Sequence, residues 1–133
     1  MLLLTKLKPD AGLWQDGRGW GLDPLAVTGL TGEQIGDLHL VSLQPGAVRG
    51  NHLHLVAREW MIILGGRVSL AWRQPGETGV TLESCDLTAP AALEIPPGVA
   101  HTVRNDGGDT IFLLSLSDCR DRQTKPVADL FAQ

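Results

Sequence analysis

Four side chains in this sequence have the types and spacing of a metal site. His52, His54 and Glu59 fall in the stretch from Gly46 to Gly66, GAVRGNHLHLVAREWMIILGG. Successive side chains of a strand point to opposite faces, so on a strand His52 and His54 share one face. They then sit about 7 Å apart along the chain, close enough to reach one ion together. Glu59 opens the next apolar run, Trp60 to Leu64. With residues 55–58 as a turn, that run is expected beside the first strand, with Glu59 facing the two histidines. His101 follows a rigid Pro96-Pro97-Gly98 turn and is the fourth candidate. Three imidazoles and one carboxylate suit Zn, Fe, Mn, Ni or Co without choosing among them. On a six-coordinate ion this set leaves two positions for substrate or water; on tetrahedral Zn it leaves none, as in structural sites. A divalent ion beside one carboxylate keeps one positive charge, which favours an anionic or carbonyl-bearing ligand. A histidine that ligates through its lone pair is not free to act as a general base.

Positioning these groups falls to many short strands. Sixteen Gly and eight Pro punctuate short apolar runs, the pattern of an all-β chain rich in turns. Strands are expected over Leu2 to Leu7, Asp37 to Leu43, Trp60 to Leu64, Val68 to Trp72, Val80 to Leu82, Ala92 to Ile95, His101 to Arg104 and Ile111 to Leu116. Leu13 to Trp20, with tryptophans flanking a Gly-rich turn, reads as a hairpin. Gln44-Pro45-Gly46 and Gln74 to Gly79 read as turns, and Asn105-Asp106-Gly107-Gly108-Asp109 as the clearest hairpin turn of the chain. Gly50 marks a bulge that would turn Arg49 inward. His39 points away from Leu38 and Leu40 and reads as ordinary packing or surface, not as a ligand. Trp60, Ile62 and Leu64, on the outward side of their strand, need cover from the N-terminal segment or from a second copy of the chain. Pro126 to Gln133 reads as a short helix or an arm. The expected architecture is one domain, residues 1–133, built as a barrel or sandwich.

Composition excludes several classes. With 43% hydrophobic and 20% charged residues the chain is globular, not disordered. A net charge of −4 without a Lys/Arg cluster argues against nucleic acid as a partner. Met1 to Leu4 is too short an apolar run for a signal peptide or a membrane span, so no membrane association is expected and the location expected is the cytoplasm. Cys85 and Cys119 lack metal-type pair spacing and read as thiols in a reducing compartment.

The spacings resemble those of a known family. Gly46, His52, His54, Glu59 and Gly66 match the first cupin motif, G-x5-H-x-H-x4-E-x6-G, and Pro96, Gly98, His101 and Asn105 match the second, P-x-G-x2-H-x3-N. The glycine that usually opens the second motif is replaced by Pro90. The resemblance implies an all-β, RmlC-like double-stranded β-helix, a jelly-roll barrel. It also implies His52, His54, Glu59 and His101 as ligands of one divalent metal ion per subunit, and a homodimer. Three further strings are similar to cupins that act on nucleotide-linked sugars: D-x-R-G at Asp16 to Gly19, P-G-x-x-R-G-x-H-x-H at Pro45 to His54, and S-D-x-x-D at Ser117 to Asp121. They imply substrate contacts by Arg49, and draw attention to Arg18. The chain has no tyrosine, so the tyrosine acid of the related epimerases cannot be carried over, and no catalytic residue is assigned. The related ketoisomerases work with histidines and need no metal, and some lack the motif glutamate; here Glu59 is present. The first expectation is a metal-binding isomerase or epimerase of a nucleotide-linked keto-sugar in polysaccharide biosynthesis. An Fe-dependent cupin dioxygenase and a non-catalytic small-molecule-binding cupin with a structural metal remain open as alternatives.

Overall fold

A computed structural model describes the backbone of Leu3–Lys6 and all of residues 11–133. Among the described residues twelve strands follow one another: β1 (Leu3–Lys6), β2 (Leu13–Asp16), β3 (Gly19–Leu22), β4 (Asp37–Leu43), β5 (Val48–His54), β6 (Glu59–Ile63), β7 (Gly66–Arg73), β8 (Thr81–Leu87), β9 (Ala91–Ile95), β10 (Ala100–Asn105), β11 (Ile111–Ser117) and β12 (Thr124–Pro126). The expected first strand is seen over β1, while its ends Leu2 and Leu7 lie outside the described residues. One short helix, α1 (Pro24–Thr28), sits between β3 and β4. Its start is written locally: the Asp23 side chain accepts from the backbone N–H groups of Leu25 and Ala26, and Pro24 occupies the first turn.

Two five-stranded antiparallel sheets face each other, in the orders β1-β9-β6-β11-β4 and β12-β5-β10-β7-β8. The hairpin β2-β3 stands apart from both. This is the all-β jelly-roll barrel expected of the cupin motifs. Alternation along each strand sends Leu43, Met61, Ile63 and Leu113 from the first sheet inward against Val68, Leu70 and Val103 of the second. On the outer face of the first sheet, Ile62 and Leu116 are covered by Leu22, Val27 and Ile35 from the N-terminal segment. The outward side of the Trp60–Leu64 run thus finds its cover within the chain, at least at Ile62, which is fully buried. The C-terminal residues do the same for the second sheet: Leu130, in a short 3-10 helix (Leu130–Ala132), packs on Ala71 and Ala100. Of the short helix or arm expected over Pro126 to Gln133, the helical turn at Leu130–Ala132 is present; β12, just before it, was not expected.

Two expectations about connections are corrected. β6 does not lie beside β5: residues 55–58 carry the chain from the second sheet to the first, so Glu59 meets the histidines across the barrel. Likewise Asn105–Asp109 is a corner and not a hairpin, because β10 pairs with β5 and β7 whereas β11 pairs with β4 and β6. Turn chemistry specifies a reversal but not which sheet receives the next strand; burial of apolar residues on both faces decides that. The hairpin of the barrel proper is β7-β8, through the polar turn at Gln74 to Gly79. β8 begins at Thr81 and runs to Leu87, longer than the Val80 to Leu82 expected. Cys85 and Cys119 form no disulfide.

Candidate metal centre and its cavity

The end of β5 carries His52 and His54 into the barrel, β6 presents Glu59 from the opposite sheet, and β10 presents His101 beside β5. One ligand atom from each of the four lies within 4.8 Å of the others. His54, Glu59 and His101 are buried, and His52 is half-buried at the cavity side.

A bulge sets this geometry. In the β5-β10 pairing His52 stands opposite His101 and Gly50 opposite Thr102, so Asn51 is the extra residue. Gly50 takes φ +118° and Asn51 φ 55° to accommodate it. A Cβ on Gly50 would fall 2.6 Å from the His101 carbonyl oxygen, so only glycine fits. The extra residue reverses the alternation upstream, and Arg49 comes to line the same cavity as His52. At the other end of the site, Gly98, with φ +83°, donates its N–H to the His54 carbonyl at 2.8 Å and ties the turn before His101 to β5.

Hydrogen bonds orient the rings of His54 and His101. His101 Nδ1 sits 3.0 Å from the Val99 carbonyl oxygen, which can only accept, so Nδ1 carries the hydrogen. Its Nε2 is turned toward Glu59 and is buried without a hydrogen-bond partner. His54 Nδ1 lies 3.0 Å from the Thr124 hydroxyl, and its Nε2 lies 3.1 Å from Glu59 Oε1. The same Glu59 oxygen is 3.2 Å from His101 Nε2. Burial alone would raise the Glu59 carboxyl, but the imidazoles of His101 and His54 and the Ser115 hydroxyl hold it well below the usual carboxylate range. Burial, followed by the neighbouring His101 and His54, brings His52 down to about 4, so its ring is neutral at neutral pH. Three imidazoles and an ionised carboxylate converging on one point, with His101 Nε2 left without a hydrogen-bond partner, are what a divalent cation requires. The residues fit a metal.

The cavity in front of this cluster has a volume of about 370 Å3 and is lined by His39, Val41, Val48, Arg49, Met61, Leu113 and Arg122 besides the site residues His52, Glu59 and Ser115. Arg49 is held by its Nε, which donates to the Ser42 carbonyl at 2.8 Å. Arg122 was not singled out from the sequence. It follows the Ser117–Asp121 string, whose side chains shape the loop: Asp118 accepts from the Arg58 N–H and Asp121 from the Gln123 N–H. The loop sets Arg122 3.6 Å from Glu59 Oε2 and 3.7 Å from Asp37 Oδ2. Thr124 was missed too, since a lone threonine after a loop carries no sequence signal. Arg18 is not brought to this cavity. It sits at the tip of the β2-β3 hairpin, paired with Asp16 at 2.7 Å and 91% exposed, beside Trp14 and Trp20.

Solved structures share the fold. The dTDP sugar isomerase from Desulfovibrio desulfuricans G20 aligns at 15% identity over 99% of this chain and 95% of that one, with a TM-score of 0.73. QdtA, a sugar 3,4-ketoisomerase from Thermoanaerobacterium thermosaccharolyticum in complex with TDP, aligns at 20% identity over 88% and 80%, with a TM-score of 0.62. The capsular polysaccharide assembling protein CapF from Staphylococcus aureus aligns at 17% identity over 71% of this chain, with a TM-score of 0.63. The chain spans only 27% of that CapF chain. Among curated proteins no sequence matches. The model of the polysaccharide biosynthesis C-terminal domain matches residues 24–125, a span that contains all four candidate ligands and both arginines of the cavity, and the chain belongs to that family of RmlC-like cupins.

Proposed function

We propose that this chain holds one divalent ion through His52, His54, Glu59 and His101 and acts on a nucleotide-linked keto-sugar as an isomerase or epimerase in polysaccharide biosynthesis. The observation that carries this reading is the pairing of a four-donor cluster with arginines in one cavity. A ketoisomerase of the same fold binds TDP, which supports the same ligand class here. A bound ion would supply Lewis-acid polarisation of a substrate carbonyl. The protein's own groups do the rest. Val41, Val48, Met61 and Leu113 give the cavity apolar walls that limit water. Arg49, fixed by one nitrogen, keeps its terminal nitrogens for a phosphate or other anion. Arg122 balances the charge of Glu59 and Asp37 from the side. Arg18, on its exposed hairpin, is a second candidate contact for the nucleotide end of the ligand. We infer a homodimer as the working unit and the cytoplasm as its place; among the described residues no helix is long and apolar enough to cross a membrane.

The test is a thermal-shift panel of nucleoside diphosphate sugars and the corresponding free sugars on wild type and on Arg49→Ala. Nucleotide sugars are expected to raise the melting temperature more than free sugars do. A charge-assisted contact contributes about 1.5–3 kcal/mol, so Arg49→Ala should weaken binding about ten- to hundredfold. Arg49→Lys should recover part of it, because the planar fork is lost. If no nucleotide sugar binds, or the variant responds like wild type, this reading fails and the dioxygenase and binding-module readings take its place.

A further inference from the structure

A keto-sugar isomerase needs a group that takes a proton from carbon, and the metal ligands are unsuited to it because their lone pairs are committed to the ion. The other polar groups lining the cavity are few. The guanidinium groups of both arginines offer only donors and no lone pair to take a proton. The Ser115 hydroxyl is engaged in donating to Glu59. The chain has no tyrosine to serve. What remains on the cavity wall is His39.

Its setting is that of an oriented base. Alternation along β4 turns Asp37, His39 and Val41 toward the barrel and leaves Leu38 and Leu40 outside. His39 stands opposite Ser115 of β11, the residue that donates to Glu59. Its Nδ1 is 2.8 Å from Asp37 Oδ2. A carboxylate only accepts, so Nδ1 carries the hydrogen and Nε2 is the nitrogen left to exchange a proton with a ligand. Asp37 in turn is steadied by Arg122 at 3.7 Å. The His39 side chain is 37% exposed, so a ligand in the cavity can reach it.

We propose that His39, oriented by Asp37, is the acid–base residue of this cavity and shuttles a proton between adjacent carbons of a nucleotide-linked keto-sugar. The proposal rests on the reading of the substrate given above. In the first step the C–H bond next to the carbonyl breaks. The proton goes to His39 Nε2, and the electron pair forms the C=C bond of an enediolate. In the second step the neighbouring hydroxyl proton moves to the other oxygen, and His39 returns its proton to the former carbonyl carbon. The ketone has moved one carbon along, and no oxidant or reductant is consumed. One acid–base group on one wall returns the proton to the face it came from. That suits ketoisomerisation; epimerisation needs a second donor on the opposite face. Asp37 is a positioning residue in this scheme.

The experiment incubates the metal-loaded protein with TDP-4-keto-6-deoxyglucose in deuterium oxide and follows deuterium at the carbon beside the carbonyl, together with the 3-keto product. Wild type should exchange and convert. His39→Gln should lower both rates by about a hundredfold or more while metal content and the ligand-induced thermal shift stay as in wild type. Added imidazole should restore part of the rate in His39→Ala. Asp37→Asn should slow the reaction, with no further loss when combined with His39→Gln. If wild type binds and exchanges but His39→Gln exchanges equally fast, His39 is not the base and the substrate reading stands. If wild type binds without exchange, the proposal falls and binding alone survives. If wild type neither binds nor exchanges, both fall.

Discussion

His101 Nε2 and His54 Nε2 both crowd Glu59 Oε1, at 3.2 and 3.1 Å. A buried polar atom without a hydrogen-bond partner, as His101 Nε2 is, costs about 1–3 kcal/mol. A cation held by His52, His54, Glu59 and His101 would give that nitrogen a partner. Carefully purified protein is expected to hold about one divalent ion per subunit. Elemental analysis after metals are added back checks this, and consistent absence of a stoichiometric ion overturns it. His52→Ala and His101→Ala should each lower occupancy, and added metal should raise the melting temperature of wild type well above that of either variant. The hydroxyl behind the site offers a finer probe. Thr124 touches His54 Nδ1, the nitrogen that does not face Glu59. Thr124→Val keeps shape and loses that contact, so metal affinity should fall about 10–100-fold with the fold intact. Competition with a chelator of known affinity measures it.

Strand β5 and the corner after β10 are the elements that make these contacts possible. Gly50→Ala would force a Cβ to within 2.6 Å of the His101 carbonyl oxygen at φ +118°, against backbone and not a flexible side chain. Loss of about 2 kcal/mol or more is expected, with metal occupancy falling as well, because His101 moves with its own carbonyl. Asn105, fully buried, staples the corner: its Nδ2 donates to the carbonyls of Leu43 and Asp109, and its Oδ1 accepts from the Gly107 N–H. Asn105→Ala leaves those groups unpaired and should cost about 2–3 kcal/mol in a denaturant titration. These elements also mark how much was legible in the sequence. Most strand spans, the bulge at Gly50 and the convergence of His52, His54, Glu59 and His101 follow from alternation, glycine chemistry and motif spacing, all of them local, whereas most of β8 and all of β12 do not. The partners of β6 and β11 do not. The Asn105–Asp109 string has the chemistry of a hairpin, yet the barrel uses it as a corner, because sheet membership is decided by which faces must be buried. Arg122 and His39 were illegible for the same reason. A lone arginine after a loop and a lone histidine on an edge strand gain meaning only when packing places Asp37 and Glu59 beside them.

At the scale of the whole molecule, the barrel leaves the outer face of the first sheet incompletely covered. The N-terminal segment packs over Ile62 and Leu116, but Leu38 and Leu40 on β4 and Phe112 on β11 remain 56%, 60% and 47% exposed. They sit at the edge of the first sheet, since β4 ends its strand order. An apolar strip on an unpaired edge is a liability for a solitary barrel and a natural surface for a second copy. A symmetric dimer would bring each strip against the same strip of its partner, so every exposed leucine would meet another apolar residue. Sedimentation at micromolar concentration should therefore show a dimer. Leu40→Glu would set two like charges near each other across such an interface and should shift the protein toward monomer, by more than tenfold in dissociation constant if the pair is desolvated. Leu40 lies on the outward side of β4, away from Asp37 and His39, so metal content should not change. A wild type that sediments only as monomer, or a Leu40→Glu variant that stays as dimeric as wild type, removes β4 from the interface.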